Sequence, residues 1–457
     1  VVLKTILAAG ACKIARRVLH LTGRGGTTVP GRIAMAIDRD VLTASARGMH
    51  IVLVTGTNGK TTTSRMIEKG LSLAGEACLL NRSGANLLPG ITAEMACNLS
   101  RMGKPRADWA VVECDEGALH LVTARIKPDV IIVTNLFRDQ LDRYGEVMHT
   151  REEIREGIRL SPESLLCLNA DCPLTATAAE GLSNPVLYYG LDVPAGEQGE
   201  RELSDARYCM SCGGELVYDA YTYAHLGAWR CPSCGRRRPR PDVAVIELPE
   251  SQGSRTFHVT MRLGEQEHKA RVGLPAIYNL YNALAAVCVG KALGMPEKPF
   301  LDAVASAEAA FGRMESFTVG KCEIQVILVK NPAGCSQAMA YIAGTDRAYG
   351  VAFCLNDKIA DGTDISWIWD ADTEKIVCDS KRRSLWAAGT RAEDMQLRLK
   401  YAGAREDEIH LERDYGRLLE DMANKEERVF ILPNYTAMLE IRQVLAKKTG
   451  GEAFWKG

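Results

Sequence analysis

Hydrophobic positions fall into a repeating texture along the first part of the chain. Residues 51–55 (IVLVT) are an unbroken apolar run that leads into a glycine-rich turn and then a helical stretch. Comparable runs recur at 109–113 (WAVVE), 130–134 (VIIVT) and 165–168 (LLCL), with helix-period segments between them. Such alternation predicts an α/β fold, with a parallel sheet flanked by helices. From about residue 195 the texture changes. Residues 195–255 are rich in Gly, Arg, Pro and Cys and read as an insertion. A helix is predicted over 277–294, ended by Gly294 and Pro296. A domain boundary is expected near Phe311–Phe317. A second α/β series follows, with apolar runs at 324–329, 349–355 and 429–432 and a helical segment at 390–402. Residues 3–21 form a basic amphipathic helix, which either packs on its own domain or also touches an anionic membrane surface.

Composition narrows the class. At about 150 residues per domain, 457 residues suggest about three domains. Lys plus Arg is 56 and Asp plus Glu 57, a net charge of -1. That argues against a globally basic nucleic-acid binder and against an acidic disordered chain. No run reaches the roughly 18 apolar residues of a spanning helix. The N-terminal segment lacks an apolar core followed by a small-residue cleavage site, so no signal peptide is expected. Fifteen cysteines are too sparse over this length for a disulfide scaffold, which turns attention to metal binding and buried thiols.

The first apolar run is followed by Gly56-Thr57-Asn58-Gly59-Lys60-Thr61-Thr62-Thr63. Glycines let backbone N–H groups close around phosphate oxygens. A lysine at position 60 neutralises β/γ-phosphate charge, and a hydroxyl at Thr61 can ligate Mg²⁺. The general GxxxxGK[ST] pattern is not fully met, because Val54 stands where its first glycine belongs.

Cysteine spacing carries the second signal. Cys209-x2-Cys212 and Cys231-x2-Cys234 are separated by 18 residues. That is the spacing of a structural zinc ribbon, in which four thiolates complete a closed tetrahedron and leave no open position for catalysis. Arg230, Arg236, Arg237, Arg238 and Arg240 crowd the ribbon, either as a nucleic-acid module or as a solvated or partner-facing edge. The other eleven cysteines are read as buried free thiols.

The form GTNGKTTT resembles the Mur ligase superfamily, whose members phosphorylate a carboxylate with ATP before an amine attacks the acyl phosphate. Glu113 in VVECDEG stands at the position of that family's Mg²⁺-binding glutamate. TNLFRDQLDRYGE (134–146) is similar to its TN…DHLD segment, with Gln140 in place of the usual metal-binding His. LNAD (168–171), YNALAA (281–286) and GRME (312–315) also fit, and the resemblance points to Asn282 and Arg313 as further nucleotide-binding residues beside Gly56, Thr57, Asn58, Gly59, Lys60, Thr61 and Thr62. With the ribbon, the resemblance narrows to the MurT family. RGGTTVPGRIA, GANLLPGIT (84–92), KNPAG (330–334), LNDKIADGTDISWIWD (355–370), GTRAEDMQLRLKYAG (389–403) and LPNYTAM (432–438) extend it over nearly the whole chain. KNPAG stands where amino-acid-adding ligases carry a D-Y-A-H-x-P type segment, which fits ammonia as nucleophile.

What the resemblance implies is specific. The chain divides into an N-terminal helical segment (1–48), an ATPase middle domain (49–315) with a zinc-ribbon insertion at about 205–242, and a C-terminal Rossmann-like α/β domain (316–457) that meets a glutaminase of the GatD type. The cofactors are ATP, Mg²⁺ held by Thr61 and Glu113, and Zn²⁺ held by the four cysteines. The substrate is lipid II, whose D-glutamate α-carboxylate becomes D-isoglutamine, and no nucleic acid is involved. The setting is cytoplasmic, with peripheral contact at the inner face of the membrane left open. The catalytic candidates are Lys60, Glu113 and Asp364. The last is expected to complete the partner's Cys-His pair, against a competing reading as a loop-capping aspartate. Asp357, Asp361 and Asp370 lie nearby and chemistry alone does not separate them from Asp364. Two rival readings are a folylpolyglutamate synthase-like ligase and a non-catalytic, nucleotide-regulated zinc-ribbon protein that binds nucleic acid.

Overall fold

The structure is a computed structural model and describes residues 2–21, 28–81, 85–139, 146–193, 205–249, 256–308 and 313–449. Contacts divide the chain into two compact units. The first holds most residues through Ala307; the second holds those from Glu308 on, together with Arg138 and Asp139.

The first unit is built on a nine-stranded sheet ordered β11-β10-β9-β6-β5-β4-β1-β3-β2. Its strands are β1 (His50–Thr55), β2 (Cys78–Leu80), β3 (Trp109–Glu113), β4 (Val130–Val133), β5 (Leu165–Asn169), β6 (Val186–Leu191), β9 (Val243–Glu247), β10 (Phe257–Leu263) and β11 (Gln266–Val272). All pairs from β2 to β9 are parallel, while β9–β10 and β10–β11 are antiparallel. The apolar runs form the buried centre: every residue of β3 and β4 is buried, as is all of β1 except His50. Each Ile, Val or Leu there contributes roughly 1.5–3 kcal/mol by leaving water. The antiparallel edge was not visible as apolar runs, because β11 alternates exposed and covered positions. Half-covered edge strands read as polar sequence.

Strand order places a crevice at β1. The chain steps from β1 to β2 to β3 on one side, then crosses to β4 on the other. Ligands of open α/β sheets bind at such switch points, beyond the carboxyl ends of the strands. Three helices, α1 (Val2–Leu21), α2 (Thr28–Ile37) and α3 (Val41–Ser45), pack against α5 (Leu88–Asn98) of the same unit. Small residues dominate that core: Ala8, Ala9, Cys12, Ala34, Ala93 and Ala96 are buried together with Val41 and Leu99.

The inserted segment forms a separate hairpin, β7 (Val217–Tyr223) with β8 (Leu226–Arg230). The second unit carries a six-stranded sheet ordered β12-β13-β17-β14-β15-β16. Its strands are β12 (Arg313–Val319), β13 (Cys322–Ile327), β14 (Tyr349–Cys354), β15 (Arg382–Ala388), β16 (Ile409–Leu411) and β17 (Arg428–Pro433). Only β12–β13 is antiparallel. The helices Tyr415–Lys425 and Tyr435–Thr449 cover its centre with Leu418, Met422, Met438 and Ile441. No helix among the described residues is long and apolar enough to cross a membrane.

Candidate functional site

The loop Gly56–Gly59 joins the carboxyl end of β1 to helix α4 (Lys60–Leu73). Gly59 precedes the helix with φ 89°, a left-handed conformation that favours glycine, and a Cβ there would collide with Asn282 Oδ1. The segment after β4 clasps the loop from the side. Thr57 N donates to Asn135 O (2.9 Å) and Asn58 N to Asn135 Oδ1 (2.9 Å). Thr134 Oγ1 donates to Asn58 O (2.7 Å), and Asn135 Nδ2 donates to the same carbonyl (3.0 Å). Thr57 Oγ1 accepts from Phe137 N (3.0 Å). Thr134 and Asn135 thus act here as fasteners of the loop, a role their place in the TN…D segment did not reveal. Gln140 of that segment lies outside the described residues.

Lys60, Thr61 and Thr62 form the first turn of α4. Lys60 is buried, and its Nζ donates to Gly56 O (2.6 Å) and Thr57 O (3.4 Å) and to Glu116 Oε1 (3.0 Å). Burial alone would lower its pKa. The carboxylates of Glu116, Asp115 and Glu113 outweigh that and hold it above the ordinary lysine value. Thr61 Oγ1 donates to Glu113 Oε2 (2.9 Å). Asn81 fixes the backbone of Glu113 from both sides: its Oδ1 accepts from Glu113 N and its Nδ2 donates to Glu113 O, each at 2.8 Å. Glu113, Asp115 and Glu116 are all buried, so three carboxylates face a single ammonium. A hydroxyl and carboxylates are hard oxygen donors, the set that suits Mg²⁺. Glu116, Asp115 and Asn81 were missed at the level of sequence. Glu116 lies in the same VVECDEG segment as Glu113, but only folding across 56 positions brings it to Lys60.

Asn282 does not face solvent. It sits in the helix Ile277–Ala292, buried, accepting from Thr63 Oγ1 (3.4 Å) and donating to Asn279 Oδ1 (3.1 Å) directly behind Gly59. Arg313 is the first residue of β12, in the second unit; its side chain lies outside the described residues.

The four cysteines converge. Their sulfurs all lie within 4.8 Å of one another, with Cys209–Cys234 at 3.7 Å and Cys212–Cys231 at 3.5 Å. A tetrahedron of thiolates about 2.3 Å from zinc has edges of about 3.8 Å, so the cluster fits that ion. Each pair forms the same turn. Cys209 O accepts from Gly213 N and Cys231 O from Gly235 N, with Gly213 and Gly235 at φ 72° and 75°. Three of the nearby arginines are already paired: Arg230 with Asp219, Arg236 with Glu180, and Arg238 with Asp171 and Asp192.

The ribbon also reaches the loop. Trp229 Nε1 donates to Ala170 O (2.9 Å). At the hairpin tip, Tyr223 stacks on Phe137 and His225 packs on it with its ring tilted (ring centroids 5.8 and 4.7 Å); the backbone of Phe137 holds Thr57. His225 lies 3.4 Å from the Cys172 thiol, but both are fully buried, which makes them a packing pair rather than a reactive one.

In the second unit the four aspartates separate. Asp361 is buried and accepts from Thr436 N (2.7 Å). Asp357 accepts from Thr390 Oγ1 (2.8 Å), and Asp370 pairs with Arg138 (3.2 Å). Half-buried Asp364 accepts from Ser366 N (2.8 Å), a contact within its own loop, as a capping aspartate makes. KNPAG opens the helix Pro332–Ala343, capped by Asn331 Oδ1 accepting from Gly334 N (2.8 Å).

Comparison with known proteins follows this geometry closely. A family description, Mur ligase middle domain, matches residues 54–212, and another, MurT ligase C-terminal, matches residues 328–438. The chain is 36% identical to the lipid II isoglutaminyl synthase (glutamine-hydrolyzing) subunit MurT of Streptococcus pneumoniae, over 98% of each chain. It is 34% identical to the subunit of that name from Staphylococcus aureus, over 96% of this chain and 97% of the relative. Among solved structures, it is similar to a pseudomurein peptide ligase type C from Methanothermus fervidus (TM-score 0.66, 21% identity, 90% of this chain and 80% of that one). MurF from Acinetobacter baumannii superposes with a TM-score of 0.67 at 16% identity, over 92% of this chain and 80% of that one. These structural likenesses show a shared Mur ligase fold.

Proposed function

The chain belongs to the MurT family of Mur-ligase-like subunits, and we propose that it amidates the D-glutamate α-carboxylate of lipid II with ATP and ammonia. The observation that carries this reading is the meeting of Lys60 and Thr61, at the start of α4, with Glu113 and Glu116 at the switch point of the sheet. The whole-length likeness favours it over a folylpolyglutamate synthase-like ligase and over a nucleic-acid-binding protein.

The chemistry is an activation followed by a substitution. A carboxylate oxygen attacks the γ-phosphorus of ATP and ADP departs. Ammonia then attacks the acyl carbon, loses a proton, and inorganic phosphate departs to leave the amide. The N–H of Gly59 and those of the first turn of α4 cradle the phosphates, while the N–H groups of Thr57 and Asn58 hold the loop to Asn135. Lys60 exchanges Glu116 for a phosphate oxygen and offsets the charge of the transferring group. Thr61 and Glu113 would hold Mg²⁺, which would supply positive charge to offset that of the phosphates. Thr62 begins the helix behind them, and Asn282 buttresses Gly59. Arg313 is assigned to the nucleotide on the resemblance alone.

Residues 49–315 are read as the ATPase domain and 316–457 as a Rossmann-like domain, and the natural division of contacts at Ala307–Glu308 supports a boundary there. The second unit is the side that meets a GatD-type glutaminase. Around Asp364 it exposes apolar surface that a partner can cover: Ile359 is 94% exposed and Trp369 46%. Asp364 is assigned to orienting the partner's imidazole on the resemblance, and the engagement of Asp357, Asp361 and Asp370 with other elements supports that choice. Asp364→Asn is expected to slow glutamine hydrolysis by the complex roughly 100-fold or more, with nucleotide binding intact. Unchanged hydrolysis would remove Asp364 from the relay. Gly59→Ala, which pushes the loop against Asn282, is expected to cost roughly 100-fold in turnover while the chain stays folded.

The decisive test is reconstitution. The chain, its glutaminase subunit, ATP, glutamine and lipid II are combined in cytoplasm-like buffer, and the stem peptide is read by mass spectrometry. Conversion of acid to amide, dependent on ATP, is the expected result. ADP release without amide, or addition of an amino acid, overturns the reading.

A further inference from the structure

Helix α1 has two apolar faces. One, with Thr5, Ala8, Ala9 and Cys12, is buried against the neighbouring helices. The other stands open: Leu3 (72% exposed), Leu7 (59%), Ile14 (67%), Val18 (53%) and Leu21 (82%). At 100° per residue these five positions fall within an arc of about 60°, a stripe about 27 Å long. The gap between Leu7 and Ile14 on that face is filled by the small residue Gly10. A stripe of this length is unusual for surface that meets only water.

Basic residues flank the stripe on both sides. Helix α1 contains Lys4, Lys13, Arg16, Arg17 and His20 and no acidic residue. Lys4 and Arg17 are exposed and border the stripe on opposite sides. Lys13 Nζ donates to Leu99 O, which ties α1 to the loop after α5. That loop adds exposed Arg101, Lys104 and Arg106 and the exposed apolar side chain of Met102 (73%). Lys13, Arg16, Arg17, His20 and Arg106 line one shallow basic pocket there. Of these cations Arg16 is paired, with Glu94 (2.9 Å). The whole chain has a net charge of -1, so this concentration of positive charge is local.

We propose that α1 is an interfacial helix that docks the protein on an anionic phospholipid surface, the Leu3–Leu21 stripe entering the acyl boundary while Lys4, Arg17, Lys104 and Arg106 meet the lipid phosphates. An apolar stripe bordered by basic residues is the pattern of helices that lie in the membrane interface. The helix carries too many charges and too short an apolar run to span the bilayer. The inference stands on α1 and its neighbouring loop and does not depend on the assigned reaction.

Sedimentation of the full chain with vesicles tests it, first alone and then in complex with its glutaminase. Binding to phosphatidylglycerol-containing vesicles is expected to exceed binding to pure phosphatidylcholine vesicles at least tenfold and to weaken as salt rises. Leu7→Glu combined with Ile14→Glu is expected to abolish it, and Lys4→Glu with Arg17→Glu to reduce it at least tenfold. All four positions are exposed, so melting temperature and nucleotide binding should be unchanged. Equal binding to both vesicle types, or none, overturns the proposal. So does a lipid-free dimer, seen by light scattering, that the Leu7/Ile14 variant converts to monomer, because the stripe then belongs to a second copy. Loss of vesicle binding on adding the glutaminase likewise assigns the stripe to that partner and overturns it.

Discussion

Lys60→Ala is expected to lower ATP-dependent amidation by about three orders of magnitude or more, because Lys60 is the buried ammonium at the start of α4, where phosphate charge would gather. The variant has a structural consequence as well. Removing the ammonium breaks the buried ion pair that Lys60 makes with Glu116, and breaking such a pair from one side costs about 3–5 kcal/mol. Part of that cost is avoided if the carboxyl takes up a proton, which would show as a loss of stability that grows with pH. The double variant Lys60→Ala/Glu116→Gln separates the two effects. It is expected to regain most of the lost melting temperature and none of the lost turnover. Amidation at the wild-type rate in either variant would remove Lys60 from phosphoryl transfer. Recovery of turnover in the double variant would mean that Lys60 serves only to neutralise Glu116.

Cys231→Ser should abolish zinc binding and melt the hairpin of β7 and β8. A closed thiolate site contributes on the order of 10 kcal/mol to the module that it folds. The core beside the site is small: Leu216, Trp229, Tyr218 and the two buried cysteines of the ribbon pack against Ala176 and Tyr188 of the main unit. The effect should spread to the phosphate loop. Tyr223 and His225 at the hairpin tip pack on Phe137, and Phe137 N donates to Thr57 Oγ1. Loss of the tip therefore loosens the clasp, and the KM for ATP is expected to rise roughly tenfold, about 1.4 kcal/mol. Elemental analysis, a thermal melt and steady-state kinetics check these outcomes in turn. Full zinc occupancy in the variant would refute the four-thiolate site. Lost zinc with an unchanged KM would confine the ribbon to stability.

The parts of this protein that could be read from sequence are those whose chemistry is contiguous. A phosphate loop needs its glycines, lysine and threonine within eight residues, because backbone N–H groups and a helix N-terminus must surround one anion. A ribbon needs each Cys pair two residues apart, because one turn must aim both sulfurs at one ion. Buried parallel strands show themselves as apolar runs, and β1, β3, β4, β5, β13, β14 and β17 lie where those runs stand. Strands β10, β11 and β15 did not announce themselves. The first two alternate at a sheet edge, and β15 begins on a pair of arginines before its buried half.

Tertiary structure decided what stands around those local motifs. Asn81 reaches Glu113 across 32 positions, Glu116 reaches Lys60 across 56, and Asn135 reaches Asn58 across 77. Asn282 proves to be a buried buttress of Gly59, which its place in the helix did not reveal. Among four nearby aspartates, folding commits three to other partners and leaves Asp364 with a single contact in its own loop. The basic residues of the ribbon look alike in sequence, yet three of them are spent on ion pairs, while those of α1 border an open apolar stripe. Residue type and spacing set which chemistry a segment can perform. Long-range packing sets which of those groups are buried, paired or left free, because that depends on neighbours that no local pattern contains.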